Sequence, residues 1–133
     1  MIIHGPSSFF GIFSDRNNLY GSIPEDFCLL KDLKVSKLSG NRVTLPSCAF
    51  KLSQLEMLDL RGNDYAGRLP SDLHSMPALR HLELSENKFT GPVDALFPEN
   101  RNGQPIFSNL VTLNLANNDL SGEIPESKLR RIP

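Results

Sequence analysis

One phrase recurs along this chain at a nearly constant spacing. It is clearest as LEMLDLRGNDYAGRLP at 55–70, LRHLELSENKFTGPV at 79–93 and LVTLNLANNDLSGEIP at 110–125. Each copy is anchored on an asparagine, with leucines eight, five and three residues before it, a hydrophobic residue two after it and a glycine four after it. Because self-similarity at a fixed period is the signature of repeat architectures, the phrase predicts a solenoid in which each unit packs against its neighbours.

Two weaker copies precede these three. The copy around Asn17 has a serine in place of its third leucine, and the copy around Asn41 lacks two residues before Leu45–Pro46. The successive anchors, spaced by 24, 22, 24 and 31 residues, are Asn17, Asn41, Asn63, Asn87 and Asn118. A seven-residue insertion within 98–106 accounts for the last spacing, and its polar, proline- and glycine-containing sequence predicts a loop that bulges from the return arm. We therefore predict one domain, residues 1–133, made of five repeats.

The hydrophobic spacing changes within each unit. Leu58-x-Leu60 and its equivalents alternate with period two, which indicates a short strand with one buried face. Leu58, Leu82 and Leu113 are expected to be fully buried and stacked in one column. After each proline the apolar residues recur with period three, which suits a 3₁₀ turn better than an α-helix. One such unit cannot bury its own hydrophobic edge, but stacked copies can. The expected fold class is an α/β solenoid with a short parallel sheet on its concave face and 3₁₀ or loop return arms.

The repeated asparagines are expected to be structural. Each follows a strand where the chain turns sharply, and an amide side chain can satisfy both donors and acceptors that a turn leaves unpaired. The alternative is ligand contact, which their recurrence in every copy disfavours. The glycines four residues after the anchors are expected to need a positive φ, at Gly21, Gly67, Gly91 and Gly122.

Composition excludes several function classes. The formal net charge is -1, and without a basic run the chain offers nucleic acid no electrostatic footprint. No apolar stretch approaches the roughly 20 residues of a membrane span. Two cysteines, Cys28 and Cys48, are too few for a disulfide framework. Two half-buried thiols are favoured over a bridge, because a disulfide needs closely matched geometry, and the pairing is left open.

No catalytic constellation is visible, so the chain is not expected to be an enzyme. The histidines His4, His74 and His81 lack metal-ligand spacing, and neither a metal nor a cofactor is expected. Side chains that alternate with the leucines are predicted to face outward on the concave sheet. These side chains form three columns, each listed from the first repeat to the fifth. The first column is Gly11, Val35, Met57, His81 and Thr112, and the second is Phe13, Lys37, Asp59, Glu83 and Asn114. The third column is Asp15, Ser39, Arg61, Ser85 and Ala116.

The two best-formed inner repeats supply the candidate binding residues. They mix apolar, aromatic and charged groups, a mixture that suits a protein or peptide partner. The predicted centre of this surface is Met57, Asp59, Arg61, His81 and Glu83.

These residues resemble the leucine-rich repeat family. The 24-residue unit and the phrase L-x-x-L-x-L-x-x-N-x-L-x-G-x-I-P are similar to its plant-type subclass, and 17–24 and 118–125 match it almost letter for letter. The resemblance implies a horseshoe segment that recognises a protein or peptide, as part of a receptor-like protein in signalling or defence. The alternatives are a structural spacer within a larger receptor and a secreted inhibitor of a pathogen enzyme.

The expected location depends on which observation is followed. The resemblance implies an extracellular or cell-surface protein. The chain itself shows no secretory signal and no Asn-x-Ser/Thr acceptor, which would place it inside the cell if the chain is complete.

Overall fold

The computed structural model describes residues 2–4, 10–98, 107–124 and 126–129. It contains eleven short strands among these residues. In chain order they are β1 (Ile2–His4), β2 (Gly11–Phe13), β3 (Tyr20–Ser22), β4 (Val35–Lys37), β5 (Arg42–Thr44), β6 (Met57–Asp59), β7 (Ala66–Arg68), β8 (His81–Glu83), β9 (Lys88–Pro92), β10 (Thr112–Asn114) and β11 (Asp119–Ser121).

The predicted parallel sheet is confirmed. Strands β2, β4, β6, β8 and β10 lie side by side in chain order, one from each repeat, and their register follows the repeat numbering. Leu58 is thus paired with Leu82, and Leu82 with Leu113. The sequence did not predict β1, which pairs antiparallel with β2 and makes the sheet six-stranded.

The leucine columns form the core, with one departure from the prediction. Leu58 and Leu82 have no exposed surface, as expected. Leu113 was expected to be fully buried as well, and this is wrong, because it is only partly buried. Its strand, β10, has a neighbour on one side only among the described strands. A leucine side chain in this column is buried completely only where a strand lies on each side of it.

Further strands lie beyond the asparagine turns, where the sequence predicted none. Strands β3 and β5 form one parallel pair, and β7, β9 and β11 form a three-stranded parallel sheet. We call these the lateral sheets. The four glycines with predicted positive φ lie in or beside these strands and have φ between 79° and 94°. The two lateral sheets are separate because the second repeat is two residues short, so β5 and β7 do not pair.

Tyr65 fills the break between the lateral sheets. Its hydroxyl accepts a hydrogen bond from the backbone N–H of Leu45, and its ring stacks on Phe89 with centroids 5.5 Å apart. The side chain is buried, and burial raises the pKa of Tyr65 to about 12. A tyrosine at this repeat position therefore replaces the backbone partner that the shortened repeat cannot provide.

The return arms are 3₁₀ turns, as period three predicted. They are Glu25–Leu29, Ser47–Lys51, Leu73–Ser75 and Val93–Leu96, and a short α-helix, Glu126–Leu129, follows the last repeat. The insertion predicted as a loop within 98–106 lies outside the described residues except for Pro98. Its flanking aromatics, Phe97 and Phe107, are both buried and meet edge to face at 5.8 Å.

The two cysteines form a disulfide, so the preference for two free thiols is wrong. Cys28 and Cys48 lie in 3₁₀ turns of neighbouring repeats, and their Cα atoms are 5.9 Å apart. That separation falls within the range that a disulfide requires. The two residues stand in different columns of the repeat. Cys28 is four residues after Pro24 and Cys48 is two residues after Pro46, but their 3₁₀ turns lie against each other, and this brings the two sulfurs within bonding distance.

We expect Leu82→Ala to lower the free energy of unfolding by about 2–5 kcal/mol, because the cavity would lie between two strands. Leu113→Ala is the matched control in the same column, and its cost should be smaller because Leu113 is partly exposed. Urea denaturation followed by circular dichroism measures both. Equal losses, or a loss below about 0.5 kcal/mol for Leu82→Ala, would contradict the assigned core.

We expect the double variant Cys28→Ala with Cys48→Ala to lose about 3 kcal/mol of stability, because the bridge closes a loop between residues 20 apart in sequence. The unmodified protein, unfolded without reductant, should show no thiol that reacts with a colorimetric reagent. After reduction it should show two. Two reactive thiols before reduction would mean that the bridge is absent in solution.

Candidate functional site

The concave sheet brings the predicted site residues together. Met57 and Asp59 lie on β6, and His81 and Glu83 lie on the adjacent strand β8. Met57 is the register partner of His81, and Asp59 is the register partner of Glu83. Adjacent strands in a sheet are about 4.8 Å apart, so these four side chains form one compact patch. Arg61, which follows β6, is exposed at the edge of this patch. We call the five residues the concave patch.

The four strand residues of the concave patch are half-buried, which is the exposure expected of groups that a partner could cover. Lys37 on β4 is the register partner of Asp59, so Lys37, Asp59 and Glu83 form a row across three strands. Like charges directly opposite one another on neighbouring strands are unfavourable. The row carries one positive and two negative side chains, with Lys37 opposite Asp59 on one side and Glu83 on the other.

One carboxylate oxygen of Asp59 is hydrogen-bonded to the backbone of the following turn. Its Oδ1 accepts a hydrogen bond from the backbone N–H of Arg61 at 3.0 Å. Asn114 occupies the equivalent position in the last repeat and accepts the equivalent bond from Ala116 at 3.1 Å. In these two repeats a side-chain oxygen supports the turn, and Asn114 shows that the negative charge is not needed for it. The fold does not require this bond in every repeat, because Phe13 and Lys37 stand at the same position.

His81 is oriented by the next strand. Its Nδ1 lies 3.0 Å from the hydroxyl of Thr112, its register partner on β10. This contact limits the rotation of the imidazole ring and turns its Nδ1 towards Thr112. The ring is thus held in place beside Met57, and together they make the apolar and aromatic part of the concave patch.

The outward columns are less exposed than the alternation predicted. Gly11, Val35, Ser39 and Ser85 were expected to face solvent, and all four are buried. Ser39 has a clear reason, because its backbone N–H and its hydroxyl both donate to Asp15 Oδ1 at 2.9 Å. Asp15 and Ser39 therefore join the first two repeats rather than offering groups to a partner. The exposed part of the face is concentrated on the third and later repeats.

From the second repeat onward the asparagine anchors are structural, as predicted, whereas Asn17 in the first repeat is exposed and its amide donates to the Ser14 hydroxyl at 3.1 Å. Asn63 and Asn87 are buried. The amide nitrogen of Asn87 donates to the carbonyls of Leu60 and Leu84, and its oxygen accepts from the N–H of Tyr65. With donor and acceptor atoms occupied by the backbone, these side chains are not available to a ligand.

The part of the chain that the structure describes shows neither a cluster of metal ligands nor a membrane-spanning helix. No three His, Cys, Asp or Glu side chains in the described ranges come together as metal ligands. None of the helices found there has the length and apolar character needed to cross a membrane.

Comparison with known proteins gives consistent matches. The family model Leucine Rich Repeat matches residues 78–99 and 109–128. The chain is 38% identical over 115 residues to Pollen receptor-like kinase 2 of Arabidopsis thaliana, which covers 84% of this chain and 16% of that protein. The chain thus spans a tenth to a sixth of the length of the first curated relatives that it matches.

Solved structures agree with this match. The LRR ectodomain of the receptor kinase SOBIR1 from Arabidopsis thaliana is similar with a TM-score of 0.76 and 32% identity, over 94% of this chain and 66% of that one. The Arabidopsis receptor kinase HAESA, solved in complex with the peptide hormone IDA and the co-receptor SERK1, is similar with a TM-score of 0.66 and 35% identity. That similarity covers 80% of this chain and 17% of that one.

We expect Asp59→Asn to leave stability unchanged within about 0.5 kcal/mol, because the amide oxygen can keep the bond to Arg61 as Asn114 does for Ala116. Asp59→Ala should cost about 1 kcal/mol through loss of that acceptor. Thermal and urea unfolding of the two variants measure the difference. An equal cost for both would show that the charge of Asp59, and not its oxygen, supports the turn.

Proposed function

This chain belongs to the plant-type leucine-rich repeat family, and on that premise we propose that it is a non-enzymatic module that recognises a protein or peptide partner through its concave patch. The observation that carries the proposal is the register of β6 and β8, which gathers Met57, Asp59, His81 and Glu83, all half-buried, on one face of the sheet. None of these identities is dictated by the repeat, since the buried leucines and the asparagines already supply the core and the turns.

The chemistry of the concave patch suits a polypeptide. Met57 offers a flexible apolar contact, His81 an oriented aromatic ring, and Asp59 and Glu83 offer acceptors for a cationic side chain. Interfaces combine an apolar centre with polar groups that fix register in this way. Relatives support the same reading, because the HAESA structure contains a peptide hormone and a co-receptor protein. We extend that property to this chain as part of the proposal.

We further propose that the protein works at the cell surface or outside the cell. Disulfides persist in oxidising compartments and are rare in the cytosol, so the Cys28–Cys48 bridge favours a secreted location. The names of the relatives, which are receptor-like proteins and receptor-like kinases, favour the same location. On this basis the segment acts in signalling or defence as the recognition part of a receptor-like protein.

A structural spacer is the competing proposal. It is favoured by the partial burial of Leu113, Leu115 and Leu120 in the last repeat, which leaves apolar surface that a further repeat would cover. In a spacer, the concave residues would be solvated and would contribute nothing to recognition. The two proposals differ in whether the concave patch binds anything at all.

The test selects peptides from a random displayed library against the whole chain and measures their affinity by isothermal titration calorimetry. We expect the double neutralisation Asp59→Asn with Glu83→Gln to weaken a selected peptide more than about tenfold, which corresponds to roughly 1.4 kcal/mol. The matched control, Asp26→Asn with Asp94→Asn, removes two exposed carboxylates from the return arms and should have no effect. Peptides that bind both double variants equally would overturn the concave patch as the binding surface. A library that yields no binder would favour the spacer.

A further inference from the structure

A second depression begins beside the concave patch, at Gly62 next to Arg61, and shares no residue with that patch. It is a groove of about 620 Å³ at the turns of the first three repeats, beside the break between the lateral sheets. The residues that line it are Asn18, Tyr20, Gly40, Asn41, Arg42, Gly62, Asn63 and Asp64. We call this the turn groove. Asn41 and Asn63 are committed to the backbone, so the groups left for a ligand are Asn18, Tyr20, Arg42 and Asp64.

The floor of the turn groove is open at Gly62, where glycine stands at a position that carries a side chain in three other repeats. The residue before each anchor asparagine has positive φ in all five repeats. It is glycine only at Gly40 and Gly62, and the other repeats have Arg16, Glu86 and Asn117. A Cβ on Gly40 would lie 2.8 Å from Arg16 Cγ, so this position has no room for a side chain. A Cβ on Gly62 would find only ordinary contacts, the nearest 3.7 Å from Glu86 Oε2.

A side chain at Gly62 would therefore fit into the groove without a clash, so the surrounding packing does not require this position to stay empty. Asparagine at the equivalent position of the last repeat, Asn117, shows that a polar side chain can adopt this backbone conformation. The glycine thus keeps the floor flat and accessible, and it can be filled experimentally without breaking the turn.

The walls of the turn groove carry an exposed ring and paired charges. Tyr20 has 86% of its surface exposed, the most of any large hydrophobic side chain in the described ranges. Arg42 and Asp64 bring opposite charges, and Lys88 Nζ lies 2.9 Å from Asp64 Oδ1. The hydrogen bond and charge of Lys88, with a smaller effect of Arg42, lower the pKa of Asp64 below its usual value. At neutral pH Asp64 is therefore an acceptor, and Arg42 is a donor.

This lining matches one class of ligand better than others. The lining itself carries one positive and one negative side chain, Arg42 and Asp64, and no deep apolar pocket that would hold a hydrophobic side chain of a peptide. A pyranose ring presents an apolar C–H face to an aromatic ring and a rim of hydroxyls that both donate and accept. We propose that the turn groove binds a neutral oligosaccharide, with Tyr20 against a sugar face and Arg42, Asp64 and Asn18 bonded to its hydroxyls.

The length of the groove is consistent with a short chain of sugars. It is lined by three successive repeats, and stacked strands are about 4.8 Å apart, so it extends roughly 10 Å along the solenoid. That length accommodates two or three rings of an extended chain. The groove shares no residue with the concave patch, so this second binding function does not depend on the first.

The test titrates three neutral hexasaccharides, cellohexaose, mannohexaose and xylohexaose, into the whole protein and follows backbone amide shifts by NMR. We expect at least one to bind with a Kd of about 1 mM or tighter, with shifts confined to the first three repeats. Tyr20→Ala, which removes an exposed ring, should weaken that binding at least tenfold. Gly62→Asn, which fills the floor, should do the same.

Two controls separate the sugar site from general effects. Val111→Ala removes another exposed hydrophobic side chain and should leave the affinity unchanged. A peptide selected on the concave patch should bind Tyr20→Ala as well as it binds the unmodified protein, which distinguishes failure of this proposal from failure of the first. The proposal is overturned if none of the three sugars shifts an amide at about 10 mM. It is also overturned if a sugar binds Tyr20→Ala and Gly62→Asn as tightly as it binds the unmodified protein. The same holds if Tyr20→Ala weakens the binding of a peptide but not of a sugar.

Discussion

The repeated asparagine amide is the interaction on which the stacking of this solenoid depends. From the second repeat onward, its Oδ1 accepts an N–H from the residue two after the preceding anchor, as at Leu19, Val43, Tyr65 and Phe89. Its Nδ2 donates to one carbonyl in its own repeat and one in the preceding repeat. A buried turn that lost both partners would leave backbone groups unpaired, at a cost of about 1–3 kcal/mol each. Because aspartate lacks the donor and leucine lacks both functions, the spacing of repeats is tied to this one residue type.

The shortened second repeat shows how the fold tolerates a local loss. Two missing residues prevent β5 from pairing with β7, which would leave the N–H of Leu45 without a partner inside the protein. Tyr65 supplies its hydroxyl from the next repeat, at the position where the other repeats carry Leu19, Val43, Phe89 and Leu120. Only an aromatic side chain with a polar tip can fill this core position and also reach the backbone. The shortened second repeat and Tyr65, which compensates for it, are thus one repeat apart in the sequence and in contact in the structure.

The parts of the structure that follow from the repeat could be predicted from the sequence. Periodicity along the chain is enough to predict the strand register, the buried leucines, the 3₁₀ return arms and the role of Asn63 and Asn87. None of these predictions requires knowing which residues from different repeats are in contact. The disulfide, the role of Tyr65 and the burial of Ser39 could not be predicted in this way, because each depends on how two repeats of different length or composition meet. The positions of Met57 and His81 side by side follow from register, whereas their use by a partner remains a proposal.

Regular and irregular parts of the chain therefore offer different kinds of surface. On the concave patch, identical strands place freely variable side chains at fixed intervals, so a partner would be distinguished by which side chains stand there. The turn groove lies where the repeat is irregular: the lateral sheets separate, and glycine leaves space for a side chain at Gly62. A groove of that origin is set by backbone shape more than by side-chain identity, which suits a flat ligand lying across several turns. Departures from a repeat pattern are accordingly places to look for binding sites that the pattern itself does not reveal.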